Sequence, residues 1–311
     1  MSAPTAARAL DRAAATLGDR AVRQLPLGPL TTYRVGGAAA LGVELREPGD
    51  ADLVARAVAG TDVPVVVVGR GSNLLVADAG FAGLAVVLGE HANHVTVEGR
   101  YVRAGAAVFL PVLARRTVAA GLTGLEWAVG VPGSVGGGVR MNAGGHGSDV
   151  AGSLVSVEVV DLGTGRRSTR PASALGLRFR GSDLSDRELV LEATFALAPG
   201  DRERSEAELG EVVRWRRQHQ PGGQNAGSVF VNPVPGQLSA GQVIDELGLR
   251  GLRLGTAQVS DKHANFIQAD EGGSADDVFA LMRLVRRRVL DECGIALRSE
   301  IRLVGFESEG W

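Results

Sequence analysis

The chain of 311 residues holds a single cysteine, Cys293. That excludes an internal disulfide framework and a cysteine-ligated zinc centre. Charge of one sign is also missing, since 33 Lys and Arg against 35 Asp and Glu leave a formal net charge of −2. With no basic block, nucleic acid and anionic membrane surfaces are excluded as expected partners. No apolar run reaches membrane-spanning length, and the first residues lack the charged-then-apolar pattern of a signal peptide. The expected address is the cytoplasm, and a monomer is the expected state. No GK[ST] phosphate loop occurs, and the five histidines are too scattered, without a carboxylate motif, to predict a metal site.

Glycine is what the chain has in excess, 44 residues, about twice the usual ~7%. It falls in clusters, the densest being GVPGSVGGGVRMNAGGHG at 130–147, where eight of eighteen residues are glycine. That density argues against a helix, because each interior glycine costs roughly 1 kcal/mol relative to alanine. Bare backbone offers amides that close around phosphate oxygens. A flexible linker would lack the spaced apolar residues Val131, Val135, Val139 and Met141. A buried, ligand-cradling loop is therefore expected.

The length suits two or three domains, with a boundary expected near residue 200: an N-terminal domain over 1–200 and a second over 201–311. Apolar spacing predicts a first helix over 4–17 and others over 50–59, 110–120, 202–219, 240–247 and 275–293. Strand-like stretches are 31–33, 41–45, 63–68, 188–197, 263–267 (HANFI) and the closing ALRSEIRLVGF. Hairpins are expected over 95–104 around Gly99 and over 155–169 around Gly163–Gly165. Strands and helices alternate without a regular βα repeat, which predicts the α+β class. After the strand 63–68 comes GRGSNLL (69–75). It lacks the third glycine of a dinucleotide fingerprint, and LLVADAGFAG (74–83) makes a poor helix. The surviving reading is a turn whose amides bind an anion with Ser72 and Asn73.

In order along the chain, YRVGG (33–37), VGRGSNLLV (68–76), GLEWAVGVPGSVGG (124–137), RMNAGGHG (140–147), NAGSVFVNP (225–233), HANFI and SEIRLVG (299–305) resemble the motifs of the UDP-N-acetylenolpyruvoylglucosamine reductases, also called UDP-N-acetylmuramate dehydrogenases. One motif alone is weak; seven in one order are specific. The short span between Arg180 and Ser228 is similar to the family's second type, which lacks an extra substrate-covering loop.

The resemblance implies an FAD-binding domain of the vanillyl-alcohol-oxidase type followed by a smaller α+β substrate domain. It implies non-covalent FAD, NADPH as electron donor, and UDP-N-acetylglucosamine-enolpyruvate as acceptor, giving UDP-N-acetylmuramate for peptidoglycan. Gly69, Arg70, Gly71, Ser72 and Asn73 would line the FAD pyrophosphate and ribityl chain. Pro132, Gly133, Ser134, Val135, Gly136 and Gly137 would do the same, with Arg34, Asn142, Ala143, Gly144 and Arg302 nearby. A Cβ at Gly136 would then fill space needed by the phosphates. Only His146 lies in a cofactor motif where a covalent tether could form.

By the same resemblance Arg180 sits on the substrate carboxylate, Ser228 donates a proton, and Glu300 is the partner acid. Asn232 and His263 would join Arg180 and Ser228 around the substrate. Hydride addition to the β-carbon pushes negative charge into the carboxylate, where a guanidinium fork stabilises it. A positioned hydroxyl then protonates the α-carbon. Taken singly, Arg180 reads as a surface charge, Ser228 as a turn hydroxyl and Glu300 as half of a surface ion pair. In family order the catalytic reading prevails.

Two positions depart from the family pattern. Phe179 stands where tyrosine is usual, with no tyrosine between Arg180 and Ser228, and Val231 replaces the lysine of an FKNP motif. A flavin- or nucleotide-binding paralogue without this turnover, or another oxidoreductase of the same FAD fold, stays open beside the reductase.

Overall fold

The computed structural model describes residues 3–307. The alternating stretches on either side of Gly99 and Gly163–Gly165 do form hairpins. Together they supply four strands of a five-stranded antiparallel sheet, in the order Arg167–Pro171, Leu154–Asp161, Glu188–Ala196, Tyr101–Gly105, Val95–Glu98. A second, four-stranded sheet runs Val22–Pro26, Ala38–Leu45, Phe81–Leu88, Val65–Val68. Its last two strands are parallel, so the unbroken valines at 65–68 read as the buried strand they resemble. The helices Ala3–Leu17 and Asp50–Val58 put Ala13, Leu17, Val54 and Val58 into one core with Leu41, Val43 and Val86.

These elements lie mainly in the first of two compact units, Met1–Leu25, Ala40–Arg70 and Gly83–Arg216. The second comprises Pro26–Ala39, Gly71–Ala82 and Arg217–Trp311. The division falls at 216/217 rather than near residue 200, and two internal segments cross over. Helix Arg202–His219 stays largely with the first unit for three reasons. Val212 is 4% exposed in that unit's core, Ser205 bonds Glu126, and Arg216 donates to the Gly130 carbonyl.

Glu126 is a buried carboxylate that accepts from the Ser205 hydroxyl at 2.6 Å and the Gly124 amide at 2.7 Å, among other donors. Burial opposes its ionisation. The hydrogen bonds from Ser205, Thr123 and Gly124 outweigh that and hold the carboxyl below its usual range. A depressed folded-state value adds stability that is fully present above the unfolded value and is lost as pH falls through the folded one. Glu126→Gln should therefore destabilise the protein by about 1–3 kcal/mol near neutrality and by less in acid. Urea melts at neutral and acid pH check this; equal losses at both would show that ionisation contributes nothing.

In the second unit, helix Ala275–Cys293 starts at Ser274, whose hydroxyl accepts from the Asp277 amide, and stops at Gly294. Its buried stripe of Val278, Leu281, Met282, Val285 and Val289 has helical spacing. The stripe shares a core with Val259 and Ile267 from a small sheet of Arg253–Leu254, Ala257–Val259 and Ile267–Ala269. Tyr33 is fully buried there and donates to the Ile267 carbonyl at 3.0 Å. Desolvation pushes its phenol well above the ordinary range. Among the described residues, no helix is long and apolar enough to cross a membrane.

Four local expectations change. Residues 31–33 form bends after a short 3-10 turn, not a strand. HANF is a turn closed by Phe266 N–H donating to the His263 carbonyl, and the strand begins only at Ile267. The closing strand shrinks to Arg302–Val304, parallel to Leu74–Val76. Most telling, the glycine-rich segment holds a helix, Val135–Arg140 (VGGGVR). Long-range bonds to its first turn outweigh the poor propensity of its three glycines.

Candidate active site

In the first unit, Gly69 and the glycine-rich segment touch. A Cβ on Gly69 would lie 2.2 Å from Ser134 Oγ, so only glycine fits there. Ser134 is buried and caps the short helix by accepting from the Gly137 amide at 3.4 Å. The Arg70 guanidinium lies 4.9 Å from the ring centroid of Phe109, which is bridged to Ser134. Gly69, Arg70, Ser134 and Gly137 thus form one neighbourhood.

The Gly136 expectation needs correcting. Its φ is not positive, and a Cβ would meet Ala106 Cβ at 3.0 Å, so this glycine packs closely on protein. The amides of Val135 and Gly136 are spent on the Val108 and Ala106 carbonyls, both at 2.9 Å, and do not point at an open ligand space. Gly137 is the exposed member. Its Cβ would meet only Ser134 Oγ, at 3.5 Å, leaving that side open for a ligand.

Asn142 links the glycine segment to the hairpin that carries Arg180. Its side-chain amide donates to Asp149 at 2.9 Å and to the Arg178 carbonyl at 3.2 Å, and its oxygen accepts from the Ala151 amide at 2.9 Å. Those bonds make it a brace. Ala143 and Gly144 are likewise committed: the Ala143 amide bonds the Gly138 carbonyl, and Gly144 pairs with Asp149.

Arg180 itself occupies the second position of a two-residue loop closed by Arg178 and Gly181, which exchange both backbone bonds at 2.9 and 3.1 Å. Its φ is +57°, a left-handed conformation that favours glycine or asparagine. Keeping an arginine there is strain of the kind that collects at functional sites. Its guanidinium lies 5.0 Å from the Phe179 ring centroid, so this phenylalanine stacks on the charge instead of offering a hydroxyl.

In the second unit, Gly71 has φ +59°, and a Cβ would fall 2.1 Å from the Leu30 carbonyl oxygen and 2.6 Å from Thr31 Cα. The Thr32 amide donates to the Gly71 carbonyl at 3.2 Å, and the exposed Arg34 comes two residues later, its own amide bonded to Thr31 Oγ1 at 3.1 Å. Among the described residues, nothing accepts from the amides of Gly71, Ser72 or Asn73. The buried Thr32 hydroxyl has no partner there either. Three donor amides and an unsatisfied hydroxyl suit an anionic, hydroxyl-rich group such as FAD. Gly71→Ala should lose bound flavin and at least ~2 kcal/mol, from left-handed strain and a backbone clash. Gly137→Ala should fold as wild type and bind flavin more weakly. Visible absorbance and a thermal melt read both, and an unchanged melt for Gly71→Ala would refute the clash.

Asn73, Glu300 and Arg302 also meet. The Asn73 side-chain amide donates to the Glu300 carbonyl at 3.0 Å, and the Arg302 amide donates to the Asn73 carbonyl at 2.9 Å. Ser228 comes directly after Gly227 and is half-buried. The next residues run beside 298–300: Glu300 N–H donates to the Val229 carbonyl at 2.8 Å, and Val231 N–H to the Arg298 carbonyl at 2.9 Å. Val231 is 7% exposed, so the position that departs from lysine points into protein. Asn232 Oδ1 accepts from the Ala240 amide at 3.1 Å, at the start of helix Ala240–Glu246.

His263 Nδ1 accepts from the Asn265 amide at 3.2 Å, which puts the ring proton on Nε2. Desolvation, with Arg250 adding to it, lowers its pKa and keeps the ring neutral. Sequence reasoning places Asn265 inside HANFI but misses its role, and it passes over Thr32 in the same way. Their polarity within apolar surroundings was the only signal.

The same arrangement of motifs recurs in known proteins. A family model described as UDP-N-acetylenolpyruvoylglucosamine reductase, C-terminal domain, matches residues 218–304, and one described as FAD binding domain matches 39–169. The chain is 42% identical over 286 residues to a UDP-N-acetylenolpyruvoylglucosamine reductase from Heliobacterium modesticaldum, covering 91% of this chain and 90% of that one. It is 41% identical to one from Methylorubrum extorquens, covering 99% of both chains. Among solved structures, the reductase from Thermus caldophilus superposes with a TM-score of 0.78 at 34% identity, covering 91% of this chain and 98% of that one. The α+β class and the pairing of an FAD-binding domain with a second domain are thereby borne out. The chain belongs to the UDP-N-acetylenolpyruvoylglucosamine reductase family.

Proposed function

We propose that this protein is an NADPH-dependent flavoenzyme that reduces UDP-N-acetylglucosamine-enolpyruvate to UDP-N-acetylmuramate, a step of peptidoglycan precursor synthesis. The observation that carries this reading is the end-to-end match, 99% of both chains at 41% identity to the Methylorubrum reductase, which spans both matched domains. Bound FAD would supply the redox chemistry, linking electrons from NADPH to hydride addition at the enolpyruvyl β-carbon.

The chain's own residues do the rest. Gly69, Ser134 and Gly137 would hold the cofactor, as would Gly71, Ser72, Asn73 and Thr32. Arg180 binds the substrate carboxylate and stabilises the charge that builds there as the β-carbon is reduced. Ser228 gives its hydroxyl proton to the α-carbon, and Glu300 is the acid that partners it. His263, neutral with a proton on Nε2, is suited to donate one hydrogen bond to the sugar nucleotide, and the Asn232 amide nitrogen to another. The protein is proposed to work in the cytoplasm as a monomer.

The purified protein should be yellow, should bleach with NADPH under anaerobic conditions, and should recover its colour on adding UDP-N-acetylglucosamine-enolpyruvate. A reduced enzyme that this substrate leaves bleached would overturn the proposal. Acid precipitation should release the flavin to the supernatant. Flavin retained in the pellet would make His146 an attachment site.

A further inference from the structure

We infer that Asn265 is a positioning residue for Ser228, a role that rests on the proposed function. Ser228 comes directly after Gly227, whose φ is +80°, so the chain on its N-terminal side is intrinsically loose. Within that turn the Gly227 amide donates to Asn225 Oδ1 at 3.0 Å, a bond between near neighbours. Long-range restraint comes from the other side, where Asn265 makes three of the bonds. Val229 N–H donates to the Asn265 carbonyl at 2.8 Å. Phe230 N–H donates to Asn265 Oδ1 at 2.9 Å, and Asn265 Nδ2 donates back to the Phe230 carbonyl at 2.8 Å.

The carboxamide therefore does for Phe230 what a neighbouring strand would do, matching one donor and one acceptor at once. It does so where no water can substitute, since Asn265 is 3% exposed and Phe230 is 1% exposed. The opposite edge of the same short run is bonded to the segment bearing Glu300, through Glu300 N–H to the Val229 carbonyl at 2.8 Å. Val229 is thus gripped by Asn265 on one side and by Glu300 on the other, directly beside Ser228. His263 completes the arrangement by accepting the Asn265 amide on Nδ1, which fixes the turn that aims the carboxamide.

Few side chains can replace this. Aspartate keeps an acceptor for Phe230 N–H but has no donor for the Phe230 carbonyl, and glutamine carries its amide one methylene too far. A proton delivered to carbon is sensitive to sub-ångström placement of its donor, and a 1 Å misplacement costs on the order of 10²-fold. A slackened Val229–Phe230 run moves the Ser228 hydroxyl by some fraction of that distance.

The test is a double-mutant cycle read by stopped-flow at the flavin absorbance, using the FAD-loaded enzyme. Asn265→Asp should leave reduction by NADPH within about twofold of wild type and slow reoxidation by UDP-N-acetylglucosamine-enolpyruvate by about 10–100-fold. In a Ser228→Ala background the same change should slow reoxidation by less than about twofold, because residues acting through one group are not additive. Asn265→Ser, which retains one donor and one acceptor, serves if the aspartate variant fails to hold FAD, and should give the same non-additive pattern. Equal slowing in both backgrounds, or parallel loss of both half-reactions, would make Asn265 a purely structural residue and overturn the assignment. A wild-type enzyme that this substrate does not reoxidise would sink the proposed function, and this role with it.

Discussion

Ser228→Ala is expected to fold, bind FAD and be reduced by NADPH at a near-normal rate, yet to be reoxidised by the enolpyruvyl sugar nucleotide about 10²–10⁴-fold more slowly. The asymmetry comes from the chemistry. Reduction of the flavin by nicotinamide has no use for a proton on substrate carbon, whereas the second half-reaction ends only when the α-carbon receives one. Ser228 is half-buried and its side chain supports no part of the core, so alanine should cost little stability. Ser228→Cys should retain more activity than alanine, because a thiol also delivers a proton. Stopped-flow resolves the halves. Reoxidation of the alanine variant at the wild-type rate would return Ser228 to the status of a turn hydroxyl.

Arg180→Lys should also bind FAD and accept electrons, and should lose about 10²–10³-fold in kcat/KM for the enolpyruvyl substrate. Lysine keeps the charge but not the planar fork that meets both carboxylate oxygens, and it stacks less well on Phe179. The backbone strain at φ +57° is the same for both side chains, so the comparison isolates the head group. The loss should fall on reoxidation, because the carboxylate gains charge only in that step. A lysine variant within a few-fold of wild type would show that a point charge suffices. A variant that instead loses flavin would place Arg180 among the cofactor contacts.

The sequence by itself determined what depends on neighbours along the chain. The helices at 202–219 and 275–293 and the hairpins around Gly99 and Gly163–Gly165 were legible because periodicity and turn chemistry are local. So were the motifs and their order, which carried the family. The chemistry of Arg180, Ser228 and Glu300 was readable only through that resemblance, since each alone has an ordinary structural explanation. What the sequence left open turns on bonds between residues far apart in the chain. VGGGVR is a helix because Ser134 caps it and the Ala106 and Val108 carbonyls take its first amides, not because its residues favour one. Gly136 answers to Ala106, and Gly69 to Ser134. HANF reads as a strand by alternation but turns, because His263 and Asn265 bond within it and Asn265 spends its amide on Phe230. The helix after residue 200 stays with the first unit because a buried glutamate and a buried valine tie it there. Propensity is worth tenths of a kilocalorie for most residues and about 1 kcal/mol for glycine, whereas a buried polar group left unpaired costs about 1–3 kcal/mol. At these positions the long-range partner therefore decides, and only the tertiary structure says which residue that partner is.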